Sequence, residues 1–283
     1  MTRQDALFRE KQTEDVRAYW NARPCNIRHS PKPAGSREYF DEVEARKYLV
    51  EPHIPGFARF PRWAGKQVLE IGCGIGTDTI NFARAGASVT AVDLSEASIA
   101  LARRRAEVFG LADRIRFHVA DAERLADAIP PRPYDLVYSF GVIHHTPHPE
   151  RVVEQVRRHF VHPQSEFKLM VYHRNSWKVF WIVAAEGRGA YWKLEELVAR
   201  NSEAQTGCPV TYTYTPAGVR GLLRGFRVEE SFVDHIFPYR IPDYVQYRYV
   251  LNWYFRILPR PLFRALERHF GWHLCVTARP DSE

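Results

Sequence analysis

The chain of 283 residues is short of several residue types, and each shortage narrows what it can be. Its four cysteines, Cys25, Cys73, Cys208 and Cys275, stand 48, 135 and 67 residues apart. Such wide spacing makes neither a CxxC metal knuckle nor the disulfide lattice of a small secreted scaffold, so a reducing cytoplasm is the expected setting. Long apolar runs are missing too. The longest, 179–185, is far below the ~20 residues that cross a bilayer, so no transmembrane segment is expected. The opening MTRQDALFREKQTED carries acids and no apolar centre, unlike a secretory leader. Lysine is scarce: seven of the 40 basic residues are Lys and 33 are Arg.

What is present is an ordinary globular composition. With 45% hydrophobic, 13% aromatic and 26% charged residues the chain can bury a substantial core, which excludes disordered, collagen-like, mucin-like and coiled-coil classes. The net charge of +7 is mild. An arginine bias suits RNA, anionic substrates or a biased coding composition, so charge alone disfavours a nucleic-acid partner without excluding one.

Local patterns divide the text into three parts. Residues 1–65 read as a helical cap: one amphipathic helix over 5–20, a turn-rich stretch with Pro24, Pro31, Pro33 and Gly35, a second helix over 37–50, then breaks at Pro52, Pro55, Gly56, Pro61 and Gly65. From residue 66 to 175 strands alternate with helices: QVLEIG, SVTAVD, RIRFHVAD, YDLVYSF and EFKLMVYH are five apolar strands. That rhythm specifies an α/β fold with a Rossmann-like, mostly parallel sheet covered on both faces and a ligand beyond the carboxyl ends of its strands. Residues 176–283 are expected to continue the same domain, with insertions at about 176–215 and 236–270. Here Thr215 caps a helix that Pro216 opens, and two more strands fall over 226–233 and 272–278. The 201–216 stretch reads as a loop. Residues 236–270 hold ten aromatics, six arginines, no lysine and two acids, Asp243 and Glu267.

The richest motif is VLEIGCGIGTDT. It places Glu70 near a strand end and Gly72, Gly74 and Gly76 in the turn leading to a helix, with Cys73 inside the loop. Glycines there permit positive φ and close ligand approach, and the helix offers unpaired N–H groups. A dinucleotide fingerprint needs GxGxxG, whereas here Thr77 stands where the last glycine belongs. The second strand ends in Asp93, placed to accept hydrogen bonds from a ribose diol, and the third in Asp121, placed to meet an adenine amino group.

With VTAVDLS, HVADAE and YDLVYSFGVIHHTPHPE, these motifs make the chain resemble the class I S-adenosylmethionine-dependent methyltransferases, in particular the small-molecule group of the ubiquinone and menaquinone C-methyltransferases. The resemblance covers about 19–173. It implies a seven-stranded sheet with an antiparallel last strand, and S-adenosylmethionine as cofactor. It implies that Glu70 orients the loop, that Gly72, Cys73, Gly74 and Gly76 border the methionine part, that Asp93 holds the ribose, that Leu94 packs on the adenine and that Asp121 and Ala122 meet the base, with Ser139 beside the cofactor. The segment FVHPQSEFK departs from the family's usual LKPGG turn.

An activated sulfonium methyl needs chiefly an aligned acceptor and dry surroundings. His144, His145 and His173 are candidate bases, with a cofactor-pocket or structural role as the alternative for each. No metal is expected: Pro147 and Pro149 break the helix on which His144, His145 and His148 would have to converge. Tyr19, Trp20, Tyr172, Tyr244 and Tyr247 are candidate substrate contacts. A helix through 244–258 would put Tyr244, Tyr247, Leu251, Tyr254 and Leu258 on one face and serve as lid or core, homodimer contact, peripheral membrane contact or RNA platform. The expected function is cytoplasmic methyl transfer to a small organic molecule at N, O, C or S. The rival readings are an RNA or protein methyltransferase and a non-catalytic scaffold.

Overall fold

Seven strands form one sheet in the order β3-β2-β1-β4-β5-β7-β6. They are β1 Gln67–Ile71, β2 Ser88–Asp93, β3 Ile115–Val119, β4 Tyr134–Phe140, β5 Val161–Tyr172, β6 Phe226–Asp234 and β7 His273–Pro280. The computed structural model describes residues 2–202 and 207–281, so residues 203–206 of the loop expected over 201–216 lie outside the described residues. Pairing is parallel from β3 through β5, and β7 alone runs against its neighbours. The seven strands, the parallel core and the antiparallel last strand agree with the fold expected from the motifs.

The sheet is buried on both faces, its central strands being mostly apolar on each side. Side chains alternate across it. Val68, Leu136 and Tyr138 join Ile80, Phe82 and Phe57 on one side, while Leu69, Ile71 and Val137 join Val152, Val156 and Phe160 on the other. Helices Thr77–Arg84 and Glu96–Val108 cover the first face's edge, and Pro149–His159 lies on the second. Ser95 caps the Glu96–Val108 helix through the N–H of Ser98, and Thr215 caps Pro216–Leu222 through Gly218, as the Thr-Pro pair predicts.

Three local expectations change. The single helix over 5–20 is two, Arg3–Phe8 and Thr13–Ala22, divided by the polar run 9–12. The departure at FVHPQSEFK is an early start to β5: pairing with β4 shifts between Tyr134 and Leu136, and the Ser165 hydroxyl spans the irregularity by donating to the Tyr134 carbonyl at 2.6 Å. Finally, no helix runs through 244–258. Short helices Ile241–Tyr244 and Trp253–Arg256 flank a fold-back in which Arg240 N–H donates to Val250 and Asn252 N–H to Pro238. Tyr247 takes a left-handed φ of 60°, which ends helical propagation. The segment folds around Arg46, whose guanidinium lies 3.9 Å from the Tyr244 ring centre and 4.5 Å from that of Tyr247.

The Arg37–Val50 helix is fastened to the sheet layer by Arg105. This side chain is fully buried, donates to Thr77 Oγ1 at 2.7 Å and the Phe40 carbonyl at 3.1 Å, and pairs with Glu44 at 3.1 Å. Arg105→Ala strips Glu44, Thr77 and Phe40 of their shared donor and is expected to lower stability by about 3 kcal/mol, read as a shifted urea midpoint at unchanged slope.

Candidate active site

The loop after β1 assigns its three glycines different tasks. Gly72 has φ 77° and sits so close to the β4 loop that a Cβ would fall 2.0 Å from Val142 Cγ2. Gly76, at φ 79°, caps the Thr77–Arg84 helix and packs near Ala102. Gly74, at φ 53°, would carry a Cβ into open space. That space is a cleft, partly open to solvent, at the carboxyl ends of β1, β2, β3 and β4.

The cleft brings together most of the cofactor-side candidates: Gly72, Cys73, Gly74, Asp93, Leu94, Asp121 and Ala122 all line it. Asp93 accepts the Gly74 N–H at 2.8 Å on one carboxylate oxygen and the Ser95 N–H at 2.9 Å on the other. Burial raises its pKa, and these backbone donors pull it back. The Leu94 N–H is a third backbone donor to this carboxylate, whose four lone pairs therefore leave room for one further hydrogen bond. Asp121 caps the turn after β3 by accepting the Glu123 N–H at 2.9 Å.

Other candidates stand behind the lining. Glu70 is buried and accepts the Thr79 hydroxyl at 2.5 Å, which joins the strand end to the helix after the loop. Burial, and then the neighbouring Asp78 charge, push its pKa up to about 8. Gly76 lies under the loop rather than on the cleft wall, and Ser139 is buried with its hydroxyl lacking a partner among the described residues.

The three histidines separate. His145 lines the cleft beside Trp20, at 5.4 Å between ring centres, and its Nδ1 lies 2.8 Å from the Val210 carbonyl. Donation from Nδ1 to that carbonyl places the lone pair on Nε2. His144 is fully buried against Tyr172, 3.9 Å between ring centres, and burial drives its pKa well below the ordinary value. His173 donates through Nδ1 to the Gly271 carbonyl at 3.1 Å, and burial lowers its pKa as well. Of the substrate candidates, Trp20 lines the cleft, Tyr19 packs edge-on against Trp20, and Tyr172 stacks between His144 and Trp272. Tyr244 and Tyr247 surround Arg46 instead.

Sequence reasoning missed Lys47, which also lines the cleft. Its ammonium donates to Asp78 at 2.8 Å, and Tyr48 and Tyr138 hydroxyls donate to the same carboxylate at 2.9 and 3.1 Å. The available signal was its rarity, one of seven lysines, on the Arg37–Val50 helix four residues before Glu51. Cys25 and Asn26, from the turn-rich stretch, complete the outer wall without any local motif to mark them.

Residues 68–162 match the family described as "Methyltransferase domain". The ubiquinone biosynthesis O-methyltransferase of Pseudomonas aeruginosa strain LESB58 is 36% identical over 112 residues, 40% of this chain and 47% of that protein. The enzyme of the same name from Aromatoleum aromaticum is 39% identical over 90 residues, 32% of this chain and 37% of that protein. The chain thus spans about half or less of the curated relatives it matches. Among solved structures, magnesium protoporphyrin IX methyltransferase from Synechocystis PCC 6803, with bound SAH, superposes at a TM-score of 0.59 with 15% identity, covering 95% of this chain and 100% of that one. An S-adenosylmethionine-dependent methyltransferase from Mesorhizobium loti gives 0.53 with 21% identity, covering 80% and 97%. At such identities the likeness is one of fold. The same fold is shared by a [4+2]-cyclase, at a TM-score of 0.56 and 17% identity over 96% of this chain and 95% of that one.

Two measurements test the local physics. Gly72→Ala combines an unfavourable φ with a clash and is expected to cost about 3 kcal/mol, whereas Gly74→Ala meets no atom and costs about 1 kcal/mol, both read by chemical denaturation. Glu70 retains its proton in the native state up to about pH 8, while the unfolded chain releases it near 4.5. The native state therefore binds more protons in that window, and its stability falls as pH rises through it. Glu70→Gln is expected to flatten that slope in a series of melting temperatures.

Proposed function

We propose that this chain, whose residues 68–162 are a methyltransferase domain on the class I S-adenosylmethionine-dependent fold, carries a methyl group from S-adenosylmethionine to a small organic acceptor. The observation that carries the reading is a single cleft in which the open Gly74 backbone, Asp93 and Asp121 face one another. In this reading Gly72 and Gly74 let the methionine part lie against backbone, Asp93 accepts from the ribose, and Asp121 accepts from the adenine amino group. Leu94 and Ala122 pack on the base.

Trp20, Phe140 and His145 line the same cleft and withhold water from the reacting centre. The acceptor atom donates a lone pair to the methyl carbon as the carbon–sulfur bond breaks, and sulfur keeps that bond's electron pair, leaving S-adenosylhomocysteine. A hydroxyl acceptor must also lose its proton. His145 is the candidate base, because of the three histidines considered it is the one on the cleft wall. The relatives that share the cofactor-side text are O-methyltransferases by name, so hydroxyl compounds are the first class to try. No helix among the described residues is long and apolar enough to cross a membrane. A cytoplasmic site of action follows the same reading.

Titration calorimetry with S-adenosylhomocysteine is expected to show binding that Asp93→Ala weakens by roughly 10- to 100-fold, the worth of lost hydrogen bonds to a charged group. Gly74→Ala should fold and bind poorly. Incubation with methyl-labelled cofactor and separated pools of metabolites, RNA and protein should label a small molecule. Label confined to RNA or protein would overturn the acceptor class, and cofactor binding without transfer to any pool would favour a scaffold.

A further inference from the structure

Beyond the cleft, the fold gathers residues from the two ends of the chain around one point. Glu51 follows the Arg37–Val50 helix, His235 follows β6, and His273 begins β7. One donor atom from each lies within 4.8 Å of the others. The His235 and His273 rings stack at 4.5 Å between centres, and His273 Nε2 stands 3.6 Å from Glu51 Oε1, beyond hydrogen-bond reach. Both imidazoles are more than nine-tenths buried.

The outer hydrogen bonds already suit an ion. His273 Nδ1 faces His53 Nε2 at 3.1 Å, so a proton on Nδ1 leaves Nε2, the nitrogen toward Glu51, with its lone pair. His235 hydrogen-bonds the Val50 carbonyl, which fixes one ring nitrogen as donor and leaves the other as ligand. Metal-bound histidines almost always give their second N–H to such a partner. His235 also holds a left-handed φ of 73°, with its carbonyl tied to Trp272 N–H at 2.7 Å and its own N–H to Asp234 at 2.7 Å. A β-strand end pinned in that sparse region aims the imidazole inward. The sequence alone led to an expectation of no metal, weighed on the histidines of 144–148; the present set shares no residue with them.

We propose that Glu51, His235 and His273 bind a divalent first-row transition ion of the zinc type, with His53 orienting His273. Two imidazoles and a carboxylate are a donor set that zinc accepts while keeping a position open for a further ligand. Tetrahedral donors at about 2.1 Å from zinc stand roughly 3.4 Å apart, so binding draws the cluster inward by about 1 Å. Phe140 separates the cluster from the cleft: its ring lies 5.5 Å from that of His273 and 6.0 Å from that of His53, and it lines the cleft wall. The open position is left for water or another ligand on the far side of that ring from the cleft, and ion binding does not rest on the methyl-transfer reading.

The test uses Co²⁺ as a coloured probe for the full-length protein. Titration is expected to develop visible d–d absorption saturating at one equivalent, with Zn²⁺ displacing it. His235→Ala and His273→Ala should each weaken binding by at least ~30-fold, Glu51→Gln similarly, and His53→Phe by about 10-fold through the lost orienting bond. S-adenosylhomocysteine affinity and melting temperature, measured on each variant, report that the fold persists, and Glu51→Gln supplies the result should a histidine variant unfold. Absence of saturable Co²⁺ binding by the wild-type protein at about 100 μM, far above the range of dedicated sites, would overturn the proposal, as would binding indifferent to His235→Ala and Glu51→Gln. Ion binding without methyl transfer would leave the metal site standing and count against the functional reading alone.

Discussion

The site depends on one short contact, the Gly74 N–H donated to the carboxylate of Asp93 at 2.8 Å. It closes the loop after β1 against the end of β2, while the other oxygen of the same side chain takes the Ser95 N–H and so sets the start of the next helix. A buried carboxylate would ordinarily resist ionisation, and paired backbone donors are what offset its burial. Gly72 enforces the other half of the arrangement. Because Val142 occupies the volume of its missing side chain, the loops after β1 and β4 can approach only with glycine there. Loop shape, helix start and cleft wall are therefore consequences of a few neighbouring atoms.

This explains why the wall of the cleft formed by the strand ends was legible in the sequence and the rest of its lining was not. Glycines at positive φ, an acid at a strand end and a strict strand–helix rhythm are local requirements, so Gly72, Gly74, Asp93 and Asp121 announce themselves within a few residues of text. His144 and His145 look equivalent as letters, yet one points into packing beneath Tyr172 and the other toward the cleft, a choice made by the 3-10 turn Ile143–His145. Lys47 and Cys25 reach the cleft from segments whose placement depends on tertiary contacts such as Arg105 with Glu44, and no short motif encodes those.

The aromatic stretch after β6 shows the opposite failure, a pattern that was clear and misread. Tyr244 and Tyr247 do recur at helical spacing, but the competing interaction was Arg46, whose guanidinium holds both rings and the Tyr244 carbonyl. A partly desolvated cation among aromatic faces contributes as much as a few turns of helix propensity, and the chain folds back to supply those faces. Arginine in this protein thus acts as an internal fastener at positions 46 and 105, which removes two charges from any account of its surface.

The antiparallel β7 carries a further implication for the protein's birth on the ribosome. It inserts between β5 and β6, so until residues 273–280 emerge, two strands wait with unpaired backbone edges. The cleft, lined by residues between 13 and 147, can assemble before that moment, whereas the far half of the sheet cannot. Until β7 emerges, a nascent chain of this design is a half-finished sheet with sticky margins, the stage at which a chaperone, or early occupancy of the cleft, would matter most.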